Sequence, residues 1–149
     1  MAYIRTEDVA RIRRALKVAF PEFRFSVRKG GTGGSVHVAI TSGPVDFHNI
    51  YSEHYPGTVD VNQHHTYMYG DHQELFEAII EVIKNAPARK WYDNSNAQID
   101  FFDTAFYYNL TVGRWNKPYE VRYPKKGLYH VPESYMEDAR TALAMTELT

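Results

Sequence analysis

Apolar positions recur every second residue in two stretches separated by a glycine-rich loop. Phe23, Phe25 and Val27 alternate with Arg24, Ser26 and Arg28, and Val36, Val38 and Ile40 alternate with Ser35, His37, Ala39 and Thr41. The two-residue period is that of a strand with one buried face. Between the runs, Gly30-Gly31-Thr32-Gly33-Gly34 lets the chain turn through positive φ. Ser42-Gly43-Pro44 stops the second run. The pattern predicts a β-hairpin, Phe23–Thr41, whose apolar face needs a cover and whose outer face carries Arg24, Arg28 and His37.

Helical spacing appears on both sides of this hairpin. Thr6 is placed to cap a first helix, with Glu7 and Asp8 in its first turn, where the helix dipole favours negative charge. Val9, Ile12, Leu16 and Ala19 follow on one face, and Pro21 closes the run. Asp71-His72-Gln73-Glu74 has the spacing of a capping box and opens a second helix. Its broad apolar stripe (Leu75, Phe76, Ile79, Ile80, Val82, Ile83) is suited to core burial, and Pro87 ends it. Pro132 to Leu148 predicts a terminal helix with an irregular apolar pattern. Thr58 to Met68 alternates well enough for a strand after the Tyr55-Pro56-Gly57 turn, whereas Phe47 to His54 fits a short helix or a loop equally well. Arg89 to Gln98 reads as a loop, and Ile99 to Gly113 is the longest strand candidate. One face of that strand would show Phe102, Phe106, Tyr108, Leu110 and Val112, the other Phe101, Tyr107 and Asn109. A short strand at Tyr119–Tyr123 and a loop at Pro124-Lys125-Lys126-Gly127 follow. The expected fold is α+β in one domain, 1–149: a single antiparallel sheet of four or five strands with about three helices packed mainly on one face.

Composition narrows the function. The 149 residues include 12 Tyr, 8 Phe and 2 Trp, an aromatic share of 15% that suits a thick core or a contact surface. Seventeen basic residues against eighteen acidic ones give a formal charge of −1, which argues against wholesale phosphate-backbone binding but leaves room for a local basic patch. The absence of cysteine excludes disulfides, thiolate nucleophiles and cysteine-ligated zinc. No stretch approaches the roughly 18 apolar residues of a membrane span. The charged start, MAYIRTEDVARIRR, has no apolar signal core, so cytosolic residence is expected.

The motifs that carry chemistry are few. KGGTGGS lacks the terminal Gly-Lys-Ser/Thr of a P-loop and precedes a strand rather than a helix, so a mobile hairpin tip is favoured over a phosphate cradle, with Arg28 and Lys29 still able to attract an anion. His64 and His65 are adjacent and would point to opposite faces of a strand, and no histidine matches a zinc signature. No Gly-x-Ser-x-Gly elbow appears, and neither catalytic residues, metal ligands nor cofactors are assigned. Arg11, Arg14 and Lys17 lie on the polar side of the first helix, where a solvated face is the commoner origin of such charge. Together with Arg24 and Arg28 they would make a basic surface, and the aromatics Phe101, Tyr107 and Trp115 could stack on bases.

Two stretches resemble one known family. FSVRKGGTGGSVHVAITSGP is similar to the strand–glycine/serine loop–strand–T-x-G-P element of the large polyvalent protein-associated domain numbered twenty-nine. DFFDTAFYYNLTVGRWNKPY is similar to the aromatic strand and V-G-x-W-x-K-P ending later in the same proteins. Asp100, Phe102, Phe106, Val112, Gly113, Trp115, Lys117 and Pro118 match the pattern, while Ile40 stands where the family usually has an aromatic. The two stretches cover somewhat more than a quarter of the chain, and Val45 to Tyr69 matches neither. The resemblance implies a context of phages and conjugative plasmids, elements that carry factors protecting incoming DNA from restriction or CRISPR defence, and it brings no catalytic residue set.

The leading expectation is a non-enzymatic accessory protein that binds a host protein, a defence nuclease or its complex. The alternative is a nucleic-acid-binding module using the basic side of the first helix and the hairpin. A third reading is a small metal-dependent hydrolase or nuclease using His64, His65 or His72. The candidate binding residues are Arg24, Arg28, Lys29, His37, Arg11, Arg14, Lys17, Tyr107 and Trp115.

Overall fold

The computed structural model describes residues 2–124 and 129–147. Among them the chain forms three α-helices and one five-stranded mixed sheet in an α+β arrangement. The first helix, α1 (Thr6–Ala19), buries Val9, Ile12, Ala15, Leu16 and Ala19 on one stripe. Thr6 lies inside it rather than at its cap, which Arg5 occupies without a side-chain bond. The first-turn acid works over distance instead: Asp8 is 1% exposed, pairs with Arg5 Nε at 3.4 Å and accepts the Ala88 amide at 2.9 Å.

Strands β1 (Arg24–Lys29) and β2 (Ser35–Gly43) form the expected hairpin, with Arg28 opposite His37 and Val27 opposite Val38. The register slips between Arg24 and Phe25, which face Ser42 and Ile40, so Thr41 is the extra residue of a bulge and donates its hydroxyl to the Arg24 carbonyl. Part of the glycine loop is held. Gly33 takes φ +80°, and its carbonyl accepts the Ile4 amide, while the Gly34 carbonyl accepts that of Tyr107. These bonds hold the second half of the loop, while Gly31 and Thr32 at its tip stay exposed.

Strand β3 (Val59–Asp60) is far shorter than the Thr58–Met68 run. Asn62 ends it by turning its side chain on the His64 amide and its own amide on the Tyr69 hydroxyl, local bonds that compete with a strand ladder. Two 3₁₀ turns within Thr66–His72, separated by a kink at Gly70 (φ +55°, ψ −122°), lead into α2 (Gln73–Asn85). The Gln73 amide donates to the Gly70 carbonyl and no side chain caps the helix at His72, so no capping box forms at Asp71, and Glu74 is left for another task. Its carboxylate accepts the Tyr135 amide at 2.9 Å and the Ser134 hydroxyl at 3.3 Å, tying α2 to the start of α3 (Tyr135–Glu147). Ser134, not Pro132-Glu133, begins this helix, accepting the Glu137 amide at 3.1 Å. Residue 148 of the expected terminal helix and 125–127 of the expected loop lie outside the described residues.

Strand β4 (Tyr107–Val112) is the second half of the Ile99–Gly113 candidate. The first half folds back on the preceding loop through bridges Asp93–Thr104 and Asn96–Phe101, with Asp100 left-handed at φ 54° at the turn. Phe106, Leu110 and Val112 are buried as expected, but Phe102 is exposed. The pairing corrects the antiparallel expectation: β4 runs parallel to β2, Val38 beside Leu110, and β5 (Glu120–Val121) runs parallel to the end of β2. A helix between two neighbouring strands carries the chain back to its starting end, and α2 does this between the hairpin and β4.

The order β1-β2-β4-β3 leaves the sheet with two unlike faces. Val27, Val36, Val38, Ile40, Leu110 and Val112 join Ile12, Leu16, Ile79 and Ile83 in one apolar cluster. The helices cover that face. The other face is open.

Candidate binding groove on the open face of the sheet

Strand alternation sends every second side chain of β1, β2 and β4 away from the core: Arg28 from β1, His37 and Ala39 from β2, Asn109 and Thr111 from β4. These form the floor of a groove of about 700 Å³. Its walls come from the Phe47–His54 stretch, which fits a short helix or a loop equally well in the sequence, with the turn at Tyr55, and from the turn that follows β4. Ile50, Tyr51, Ser52 and Tyr55 stand on one side, and Arg114 and Trp115 come from the turn after β4.

Phe47 holds the first wall. It is fully buried, stacks on Phe76 at 5.6 Å and meets the Tyr119 ring edge-on at 4.9 Å. Tyr119 then ties both ends of the loop, its hydroxyl donating to the Val45 carbonyl at 2.7 Å and its amide to that of Gly57 at 2.9 Å. Gly57 (φ +86°) and Gly113 (φ +70°) touch back to back. A Cβ on Gly113 would stand 2.1 Å from the Gly57 carbonyl oxygen. Gly43 is similarly required, because Phe23 Cδ1 would lie 2.3 Å from any Cβ there. The S-G-P and V-G-x-W-x-K-P stretches thus meet around Tyr119 and mount the wall.

The second wall is a tight turn in which Arg114 and Lys117 exchange backbone hydrogen bonds, both 2.9 Å. It holds Trp115 92% exposed. Arg114 is half-buried and donates to the Ser26 hydroxyl at 3.3 Å, which aims its guanidinium along the floor. On the floor, His37 Nδ1 bonds Asn109 Oδ1 and its Nε2 lies 3.4 Å from the Ser35 hydroxyl. With Oδ1 taken, the Asn109 amide nitrogen is left as a donor. Partial burial, reinforced by the Asp46 carboxylate, pushes the Tyr51 phenol up to about 12, so it remains a proton donor near neutrality.

The structure brings Arg28, His37 and Trp115 together in the groove and puts Tyr107 on the same sheet face. Arg24 and Lys29 are exposed on β1 but do not line it. Arg14 and Lys17 are exposed on α1, in the layer over the opposite face, and Arg11 is engaged by the Ala86 carbonyl at 2.8 Å. Of the α1 cations, Arg13 reaches the β1 edge, donating to the Val27 carbonyl at 2.8 Å, and none of them lines the groove. The sequence reading missed Arg114, Asn109 and Tyr51. The polar alternation of β4 carried the signal for Asn109, but nothing local reported that Arg114 would turn back over β1.

His64 and His65 are exposed. His72 is half-buried, packs its ring against Phe47 at 4.8 Å and bonds Asn49 at 2.9 Å. Among the described residues no three His, Asp or Glu side chains gather into a set that would hold a metal ion. Burial lowers the His72 pKa below its ordinary 6.5, against an upward pull from Asp71 and Asp46 and with a further push down from His48. The folded chain binds this proton less readily than the unfolded one, so the stability from neutral His72 is complete above the unfolded value and is lost as pH falls through the depressed folded one. The urea midpoint is expected to drop between about pH 7 and 5. A His72→Gln variant should flatten that segment of the curve, and an unchanged slope would refute the assignment.

The fold is a one-sided α+β sheet with a polar and aromatic groove on the face away from the helices. The chain belongs to the large polyvalent protein associated domain 29 family, whose pattern matches residues 4–123. This makes it a phage-associated domain of the polyvalent-protein kind. No curated protein and no solved structure matches it. No described helix is long and apolar enough to cross a membrane.

Proposed function

We propose that this chain is a non-enzymatic accessory protein of phages and mobile elements that acts by binding a host factor, with the groove as its working surface. The factor is a component of host defence against incoming DNA, a restriction or CRISPR nuclease or its complex. The observation that carries the reading is the sheet face turned away from the helices: it holds a 700 Å³ groove with two arginines and an almost fully exposed tryptophan. Tryptophan and arginine are enriched at protein contact surfaces relative to the rest of the surface. Family membership supplies the phage context. Tagged chain should retain a defence component from host lysate, and Trp115→Ala should lose it. Recovery of abundant cytosolic background alone sinks the proposal.

A second reading, a nucleic-acid-binding module, is favoured by the placement of Arg28 and Arg114 beside Trp115. It predicts a gel shift that weakens with salt and with Arg28→Gln, and that Arg14→Gln on α1 leaves unchanged. Absence of any shift at low salt excludes it.

A further inference from the structure

We infer that the groove is built for a nucleoside phosphate unit, a planar base joined to a phosphate. The inference rests on the reading of the open face as the working surface. Size comes first: about 700 Å³ falls within the ~300–1,000 Å³ of small-molecule clefts. Charge comes next. Arg28 and Arg114 face Asp60, the carboxylate among the lining residues, so the groove carries net positive charge and selects an anion. Arg114 is pre-aimed by Ser26, and a guanidinium held in place binds phosphate with a fixed fork of donors.

An anion alone would not use the rest of the site. Trp115 stands 92% exposed at the rim on a turn closed by two backbone hydrogen bonds, and Tyr55 is 69% exposed on the other wall. Rigid exposed rings beside cations are the platform on which bases stack. Also among the lining residues, the Asn109 amide donor and the Asp60 carboxylate acceptor offer the complementary pair that a base edge or sugar hydroxyl requires. An acidic peptide would satisfy the arginines and leave the rings unused. A nucleoside phosphate satisfies both. The same unit can arrive as a free nucleotide or within a single strand, whereas a duplex hides its base faces.

The chain has two tryptophans, and Trp91 is half-buried with its indole donating to the Phe106 carbonyl at 2.9 Å. A Trp91→Phe background leaves Trp115 as the reporter. Its fluorescence should be quenched saturably by nucleoside 5′-monophosphates or by a 5′-phosphorylated single-stranded hexanucleotide, and not by inorganic phosphate. Arg28→Gln with Arg114→Gln should weaken the binding by about tenfold or more. A response to monophosphates equal to that of the hexanucleotide assigns the groove to free nucleotide, and a much tighter hexanucleotide assigns it to a strand. No quenching at low salt, an equal response to inorganic phosphate, or binding indifferent to the double variant overturns the inference. Host-factor capture that depends on Trp115 without any nucleotide response would sink this inference alone. Nucleotide binding without capture would sink the host-factor proposal alone.

Discussion

Alanine at Gly113 is expected to lower stability by about 3 kcal/mol or more, on the order of 10 °C in Tm for a chain of this size. Two costs combine there. The backbone sits at φ +70°, where an L-residue is strained by roughly 1–2 kcal/mol. The new Cβ would also stand 2.1 Å from the Gly57 carbonyl oxygen and 2.8 Å from the Tyr119 amide nitrogen, the two partners of the bond that closes the groove wall. Both neighbours are backbone, so neither can swing aside. Gly33→Ala isolates the first cost, because φ is +80° there and the added carbon would meet only the end of the Lys29 side chain at 3.7 Å. It should lose only about 1 kcal/mol. Equal urea midpoints for the two variants would show that the Gly57–Gly113 contact does not matter.

The second large effect is expected at Phe47. Its removal to alanine should cost about 3–5 kcal/mol, the usual range for a fully buried phenylalanine. The ring is 0% exposed and fills the space between Phe76, Tyr119 and His72. The loss should also be local. Residues 48–56 depend on this ring for their attachment, so limited proteolysis of the variant is expected to cut there first, ahead of global unfolding. Tyr119→Phe keeps the ring contact and removes only the hydroxyl's bond to Val45, a change of about 1 kcal/mol. A Phe47→Ala variant no weaker than Tyr119→Phe would mean that the ring does not hold the loop.

The sequence displayed what repeats and hid what is assembled over distance. Phe23, Phe25 and Val27, and after the glycine loop Val36, Val38 and Ile40, announced a hairpin because within each run the apolar residues sit two apart, and the hairpin's cover was equally plain in the stripe of Ile12 and Leu16. Parallel pairing of β2 and β4 was harder, since a strand's own pattern does not record its neighbour's direction; the clearest helix in the chain, lying between the two, was the cue. Val45–Tyr69 was read only in part, as a turn and an overlong strand, because much of its order comes from elsewhere. Phe47 is set by Phe76, and Asn62 trades its strand ladder for local bonds. The site followed the same rule. Arg28 and His37 were visible as outward residues of facing strands, whereas Arg114 acquires its place from Ser26, 88 residues earlier.

The way Tyr119 grips the chain at Val45 and at Gly57 has a consequence for how such a surface could diversify. Both attachments use main-chain carbonyl oxygens, and the glycine contact below them is also main chain. The bracket is therefore indifferent to which side chains fill most of the span it carries. Ser52 and Tyr55 face the groove from this span, whereas Ile50 and Tyr51 also pack against the core. The exposed positions of the span can change while the frame and the sheet beneath it stay the same.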